Sequence, residues 1–226
     1  MIEKISSLIL TKPLGDSREN VDIIIGVDLD QTIADCDAGW RRRYQEKCVA
    51  EKPHRMVSDN EISLEWSHFE KICAPCFAEC LVDPYVVENL DPLMDGINTI
   101  KRIYHSGVHG YTVGFHAVTA RPHEVAEPSV SWFEKVGIAS YFRAVTFTEQ
   151  KREALEQIGA IAHIDDSYGI YRQLTEPFPS IVEPIFLITS MTEHLSMIPK
   201  GSSDWKHVEQ RIYDIILKHK IKHKKI

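Results

Sequence analysis

An α/β fold with a mostly parallel sheet is the class this sequence predicts, and three observations carry that prediction. Apolar runs alternate with helical segments: Ile23 to Asp28, Tyr111 to Val118, Ala144 to Phe147, Ile161 to Ile164 and Pro184 to Ile188. The first run, Ile23-Ile24-Ile25-Gly26-Val27, is apolar throughout, the pattern of a strand covered on both faces. Chemistry-bearing residues stand where these runs end, and parallel α/β sheets place their ligands beyond the carboxyl ends of strands.

The elements follow in order. Residues 1–22 read as an N-terminal extension, turn-rich at Lys12-Pro13-Leu14-Gly15-Asp16. A buried strand over 23–28 leads into a helix predicted from Thr32 to about Tyr44, closed by Arg41-Arg42-Arg43. The texture changes over 50–90. Leu64, Trp66, Phe69, Ile72, Cys73, Cys76, Phe77 and Cys80 recur mostly at spacings of three and four, the mark of a small helical module. The main domain, 23–49, resumes over 91–200. It has helices over Met94–Tyr104, Pro128–Val136, Arg152–Ile158 and Tyr168–Leu174, each next to a strand. Residues 201–226 form a C-terminal helix with Trp205, Val208, Ile212, Ile215 and Ile216 on one face, then a basic tail from Lys218.

Composition narrows the function classes. A chain of 226 residues, 43% hydrophobic and 26% charged, holds one good-sized globular domain with room for a small module. A net charge of -7 weighs against a general nucleic-acid binder, so no stable nucleic-acid partner is expected. No apolar run is long enough to span a bilayer, so no membrane partner is expected either. Leu8-Ile9-Leu10 lacks the features of a secretory leader, and a cytoplasmic setting is the expectation. The five cysteines are read as reduced thiols.

Asp28 and Asp30 stand where the first strand runs out, and in extended chain they share a side. A carboxylate at Asp28 can attack phosphorus and become an aspartyl phosphate. One at Asp30 can protonate the leaving oxygen and later deprotonate water. Thr119 offers a hydroxyl and a neighbouring amide, that of Ala120, to a phosphoryl oxygen. Lys151 supplies fixed positive charge for the same group. Arg121 either touches the phosphate or caps its loop. Asp165 and Asp166 supply hard oxygen ligands suited to Mg2+, without which the clustered carboxylates would repel one another and an anionic substrate. Any one of these signals is common by chance; the ordered set points to a phosphoryl-transfer site.

Asp28-x-Asp30-x-Thr32, the strand-ending Thr119, Lys151 before a helix and the Asp165-Asp166 pair together resemble the four motifs of the haloacid dehalogenase-like superfamily, over roughly residues 23–190. The resemblance implies a three-layer Rossmann-like core and a small helical cap at 50–90. It also implies Asp28 as nucleophile, Asp30 as acid/base, and Mg2+ held by Asp28, the Asp30 carbonyl and one of the Asp165–Asp166 pair. An acid at the Asp30 position implies a phosphatase rather than a dehalogenase. Asp28 to Asp35, Leu90 to Gly96, Val118-Thr119-Ala120-Arg121-Pro122, Trp132 and Ile164 to Ser167 are similar to the cytosolic-type 5'(3')-deoxyribonucleotidases and their bacterial relatives. That likeness implies a nucleoside monophosphate substrate. Gln31, Cys36 and Ser167 depart from that pattern at positions that help set substrate choice. A phosphatase of sugar phosphates or another small metabolite, and a non-catalytic binding protein of the same fold, are the alternatives.

Trp66, Phe69 and Phe77 are read either as cap residues that contact substrate or as the module's own core. Cys73, Cys76 and Cys80 share a helical face; with no second arm of ligands they read as core rather than a zinc site. His116 and His163 fall within strands and are read as structural. The apolar face of the last helix suits docking on the main domain or a homodimer contact, and the Lys/His tail is read as a solvated, frayed end.

Overall fold

The computed structural model describes residues 9–16, 18, 20–51, 79–176, 180–189, 201, 202 and 204–223. The readings made for Trp66, Phe69, Phe77, Cys73 and Cys76 lie outside the described residues.

A six-stranded sheet forms the centre, in the order β1-β6-β5-β2-β7-β8. Its strands are β1 (Leu10–Pro13), β2 (Ile23–Val27), β5 (Val113–Thr119), β6 (Phe142–Phe147), β7 (Ala160–Asp165) and β8 (Glu183–Phe186). All neighbours are parallel except β1, which runs antiparallel along β6. This is the α/β, mostly parallel architecture that the alternating apolar runs predict. β1 lies in the segment set apart in sequence as an extension, yet it is the edge strand of the sheet, with Leu10 opposite Phe147 and Pro13 opposite Ala144. The proline is tolerated because an edge strand has one unpaired side.

Helices α1 (Cys36–Glu51), α2 (Pro84–Glu88), α3 (Met94–Ser106), α4 (Ala126–Lys135), α5 (Lys151–Gln157), α6 (Tyr168–Thr175) and α7 (Trp205–His223) flank the sheet. Among the described residues, two buried clusters hold it together. The larger joins β2 and β5 to α3, α4 and α7 through Ile25, Phe115, Ile100, Trp132 and Ile212. The smaller sets Val118 against Ala154, Leu155 and Leu174.

The segment after β2 departs from the expected helix. Residues 31–33 turn, with the Leu29 carbonyl accepting from the amides of Thr32, Ile33 and Ala34. The short strand β3 (Ala34–Asp35) then pairs antiparallel with β4 (Asp91–Pro92), and the helix starts only at Cys36. The partner strand decides this; a pairing so distant in sequence leaves no local periodicity. The helix also continues past Tyr44, so Arg41 and Arg43 are mid-helix residues paired to Asp37 and Asp83 at 2.7 Å each, rather than a helix end.

α7 docks on the main body. Trp205, Val208, Ile212 and Ile216 are buried, and Arg102 of α3 donates to Glu209 at 2.7 Å. A Cβ on Gly96 would come within 2.6 Å of the Trp205 ring, so a glycine lets the two helices close. The helix runs to His223, and Lys220 donates to the His109 carbonyl at 2.7 Å, so this much of the basic tail is ordered helix instead of a frayed end. No described helix is long and apolar enough to cross a membrane.

Candidate active site

β5, β2 and β7 lie side by side, so their carboxyl ends bring Thr119, Asp28 and Asp165 together. The Asp28 amide donates to the Ile164 carbonyl at 2.9 Å, which extends the ladder past the end of β2 and fixes where its side chain starts. Lys151 reaches the same place from the first turn of α5. The Thr148 amide, just before that helix, donates to the Thr119 carbonyl at 2.8 Å and ties the loop to β5.

Lys151 is buried, with its Nζ 2.7 Å from Asp28 Oδ1 and 2.7 Å from Asp165 Oδ2. One ammonium thus holds two carboxylates, all three groups buried. Burial pushes the Asp28 carboxyl up to about 7; Lys151 opposes this, while the charges of Asp165 and Asp30 add to it. Asp165 is equally buried, but Lys151 and His163 hold its carboxyl well below the usual range. Burial, then the charges of Asp28 and Asp165, raise Asp166 to about 8.

The two acids of the pair differ in use. Asp165 accepts from Lys151 and from His163 Nε2, at 2.9 Å, on Oδ2, and from the Ser167 amide at 2.7 Å on Oδ1. Asp166 has no hydrogen-bond partner among the described residues, and it lines the cavity in front of Asp28. Asp28, Asp165 and Asp166 each bring a ligand oxygen within 4.8 Å of the others. An all-oxygen, excess-negative donor set of this kind fits a hard divalent cation such as Mg2+.

His163, read from sequence as structural, touches the site directly. It stands two residues before Asp165 on β7, and that spacing puts both side chains on one face, a signal present in the sequence. Burial keeps the ring neutral, so its contact to Asp165 is an Nε2–H donor. Gly26 makes room for it: a Cβ there would lie 2.8 Å from His163 Nδ1 and 2.3 Å from Leu155 Cδ2.

The Thr119 hydroxyl accepts from the Arg121 amide at 3.2 Å, and Ala120 is exposed beside it. The sequence groups Arg121 with the phosphate ligands; in the structure its guanidinium lies on Asp30. Nη2 donates to Asp30 Oδ1 at 2.5 Å, and Nε lies 3.1 Å from both oxygens. Its Nη1 donates to the buried Ser129 Oγ of α4 at 3.0 Å.

A cavity of about 400 Å³ opens over this cluster. Asp28, Asp30, Thr119, Ala120, Lys151 and Asp166 form its polar floor, and Trp40, Leu81, Pro122 and Ile170 form apolar wall.

No family model matches the sequence, and no curated protein matches it at a significant level. Solved structures match its fold. A haloacid dehalogenase-like family hydrolase from Streptococcus pneumoniae aligns with a TM-score of 0.60 at 10% identity, over 84% of this chain and 98% of that one. The chain has the haloacid dehalogenase-like fold. A predicted phosphatase from Clostridium acetobutylicum aligns with a TM-score of 0.56 at 14% identity, covering 86% of this chain and 100% of that one. A haloacid dehalogenase superfamily hydrolase from Ehrlichia chaffeensis gives 0.51 at 12% identity, over 88% and 100%. Identities this low carry the haloacid dehalogenase-like fold and leave the reaction to be argued from the site.

Proposed function

We propose that this protein is a Mg2+-dependent phosphomonoesterase that works through an aspartyl phosphate on Asp28, with nucleoside monophosphates as its substrate class. The observation that carries the reading is Lys151 bridging Asp28 and Asp165 at 2.7 Å each, with Asp166 unpartnered among the described residues beside them. A structural ion pair needs neither a third, desolvated carboxylate nor a cavity above it.

Asp28, Asp166 and the Asp30 carbonyl would hold the cation, with Asp165 holding Lys151 and so supporting the set. When bound, the cation neutralises the clustered carboxylates and the charge on the phosphoryl oxygens. Asp28 attacks phosphorus as the ester P–O bond breaks, and Asp30 gives the leaving oxygen a proton. Water then attacks the phosphorus of the aspartyl phosphate, and Asp30 takes its proton. The P–O bond to Asp28 breaks, releasing phosphate and restoring the Asp28 carboxylate and the protonated Asp30. Lys151, the Thr119 hydroxyl and the Ala120 amide hold the phosphoryl oxygens throughout.

Trp40, Leu81, Pro122 and Ile170 favour a flat, weakly polar leaving group over a bare sugar, which would need more donors than this wall supplies. Residues 50–90 are proposed as the cap over that wall, with Trp66, Phe69 and Phe77 against the base or sugar. The naming of the Clostridium acetobutylicum structure as a predicted phosphatase agrees with this chemistry.

The test is phosphate release from nucleoside monophosphates and sugar phosphates, with Mg2+ and with chelator. Chelator-sensitive release favouring nucleotides is expected. Release from sugar phosphates alone would remove the substrate class and leave the mechanism; no release from any ester would remove both.

A further inference from the structure

We infer that Arg121 is a positioning residue for Asp30, anchored by Ser129 of α4, and not a ligand of the substrate phosphate. This rests on the phosphatase reading above. Asp30 lies beyond β2, where its backbone makes one isolated bridge to Ala34 and the ladder of the main sheet no longer runs. What holds the carboxylate is the Arg121 fork, with Nε and Nη2 both on Asp30. The guanidinium side chain is only 2% exposed, against 22% for Asp30, so the arginine lies behind the carboxylate while the carboxylate faces the cavity. Ser129 then fixes the far side of the fork at 3.0 Å. A phosphate ligand presents its donors to the substrate, whereas this guanidinium, although Arg121 lines the cavity, spends three of its five N–H groups on Asp30 and Ser129 and is almost wholly covered. The backbone around Arg121 points the same way. Its amide is used on the Thr119 hydroxyl, so the residue after the phosphate loop turns inward.

A group that acts through Asp30 must matter most where the leaving oxygen needs a proton. The experiment compares kcat/KM on a nucleoside monophosphate, whose leaving alkoxide needs that proton, with 2,4-dinitrophenyl phosphate, whose leaving phenolate does not. Arg121→Gln is expected to lose about 10²-fold on the nucleotide and less than about fivefold on the aryl ester. The inhibition constant for inorganic phosphate should stay within about threefold, because no phosphate contact is removed. In an Asp30→Asn background, adding Arg121→Gln should cost nothing further, the mark of residues acting as one unit. Arg121→Lys should recover only part of the loss, since an ammonium cannot reproduce the fork.

Equal loss on the two esters, a tenfold or larger rise in the phosphate inhibition constant (about 1.4 kcal/mol of phosphate binding), or additive loss in the Asp30→Asn background would each overturn the inference. Should Arg121→Gln fail to fold, Ser129→Ala decides: it leaves Asp30 and Arg121 in place, and the same ester-selective loss, smaller in size, is expected. Absence of turnover of both esters by the unaltered protein would remove the phosphatase reading, and this inference with it. Failure of the inference alone leaves the unaltered protein active.

Discussion

At the scale of single residues, the site is an electrostatic compromise built around Lys151. Its ammonium holds Asp28 and Asp165 in a place where burial alone would neutralise a carboxylate. Asp28→Asn keeps the shape and removes the proposed nucleophile, so phosphate release should fall by about 10³-fold or more while the melting temperature holds. Lys151→Met leaves the two buried carboxylates without their cation, a change of the kind that costs about 3–5 kcal/mol. Urea unfolding should show that loss, and show it larger at pH 8 than at pH 6, because raising the pH drives Asp28, raised to about 7, into the charged form. The positions of Asp28, Thr119, Lys151 and Asp165 were legible because each follows an apolar run or starts a helix, and Asp30 and Asp166 were read from their spacing to Asp28 and Asp165. The Arg121–Asp30 fork was not: its partners lie on different strands' ends, and only packing of β5 beside β2 brings them together.

At the scale of elements, the site depends on how tightly α5 and β7 close on β2. Gly26→Ala would drive a methyl into Leu155 and His163. Overpacking of this kind costs about 1–3 kcal/mol, readable by urea unfolding. Activity should fall further than stability predicts, because His163 would be pushed off Asp165. The strand periodicities that locate β2, β5 and β7 were readable directly, since a buried strand writes its character in consecutive residues. β3 was not readable. Two residues paired to Asp91–Pro92 carry no period of their own, and Thr32 to Tyr44 fits a helix until that pairing is known. β1 was hidden for the same reason, a four-residue edge strand that needs β6 to define it.

At the scale of the whole molecule, the proposed cation site would tie cation binding to folding. Asp28 and Asp166 are raised to about 7 and about 8, above the usual carboxylate value. The folded state therefore binds more protons than the unfolded one. That contribution is full at acid pH, below the unfolded values, and is lost as pH rises through 7 and 8. The proposed divalent cation would take the place of those protons, so the rise in melting temperature on adding Mg2+ should be larger at pH 8.5 than at pH 6. Asp166→Asn should raise the melting temperature of the metal-free protein at pH 8.5 and abolish the Mg2+ response; an unchanged response would remove Asp166 from the ligand set. α7 belongs to the same cooperative unit, and Ile212→Ala, buried against the sheet, should cost about 2–5 kcal/mol by denaturant unfolding. The sequence by itself determined the α/β class, the central strands and which residue types stand at their ends, because those are local properties of consecutive residues. Only the tertiary structure decided that α7 docks on Gly96 through Trp205, that Lys151 bridges Asp28 and Asp165, and that Arg121 faces Asp30. Those are contacts between segments distant in the chain, and they exist only once β2, β5 and β7 lie side by side.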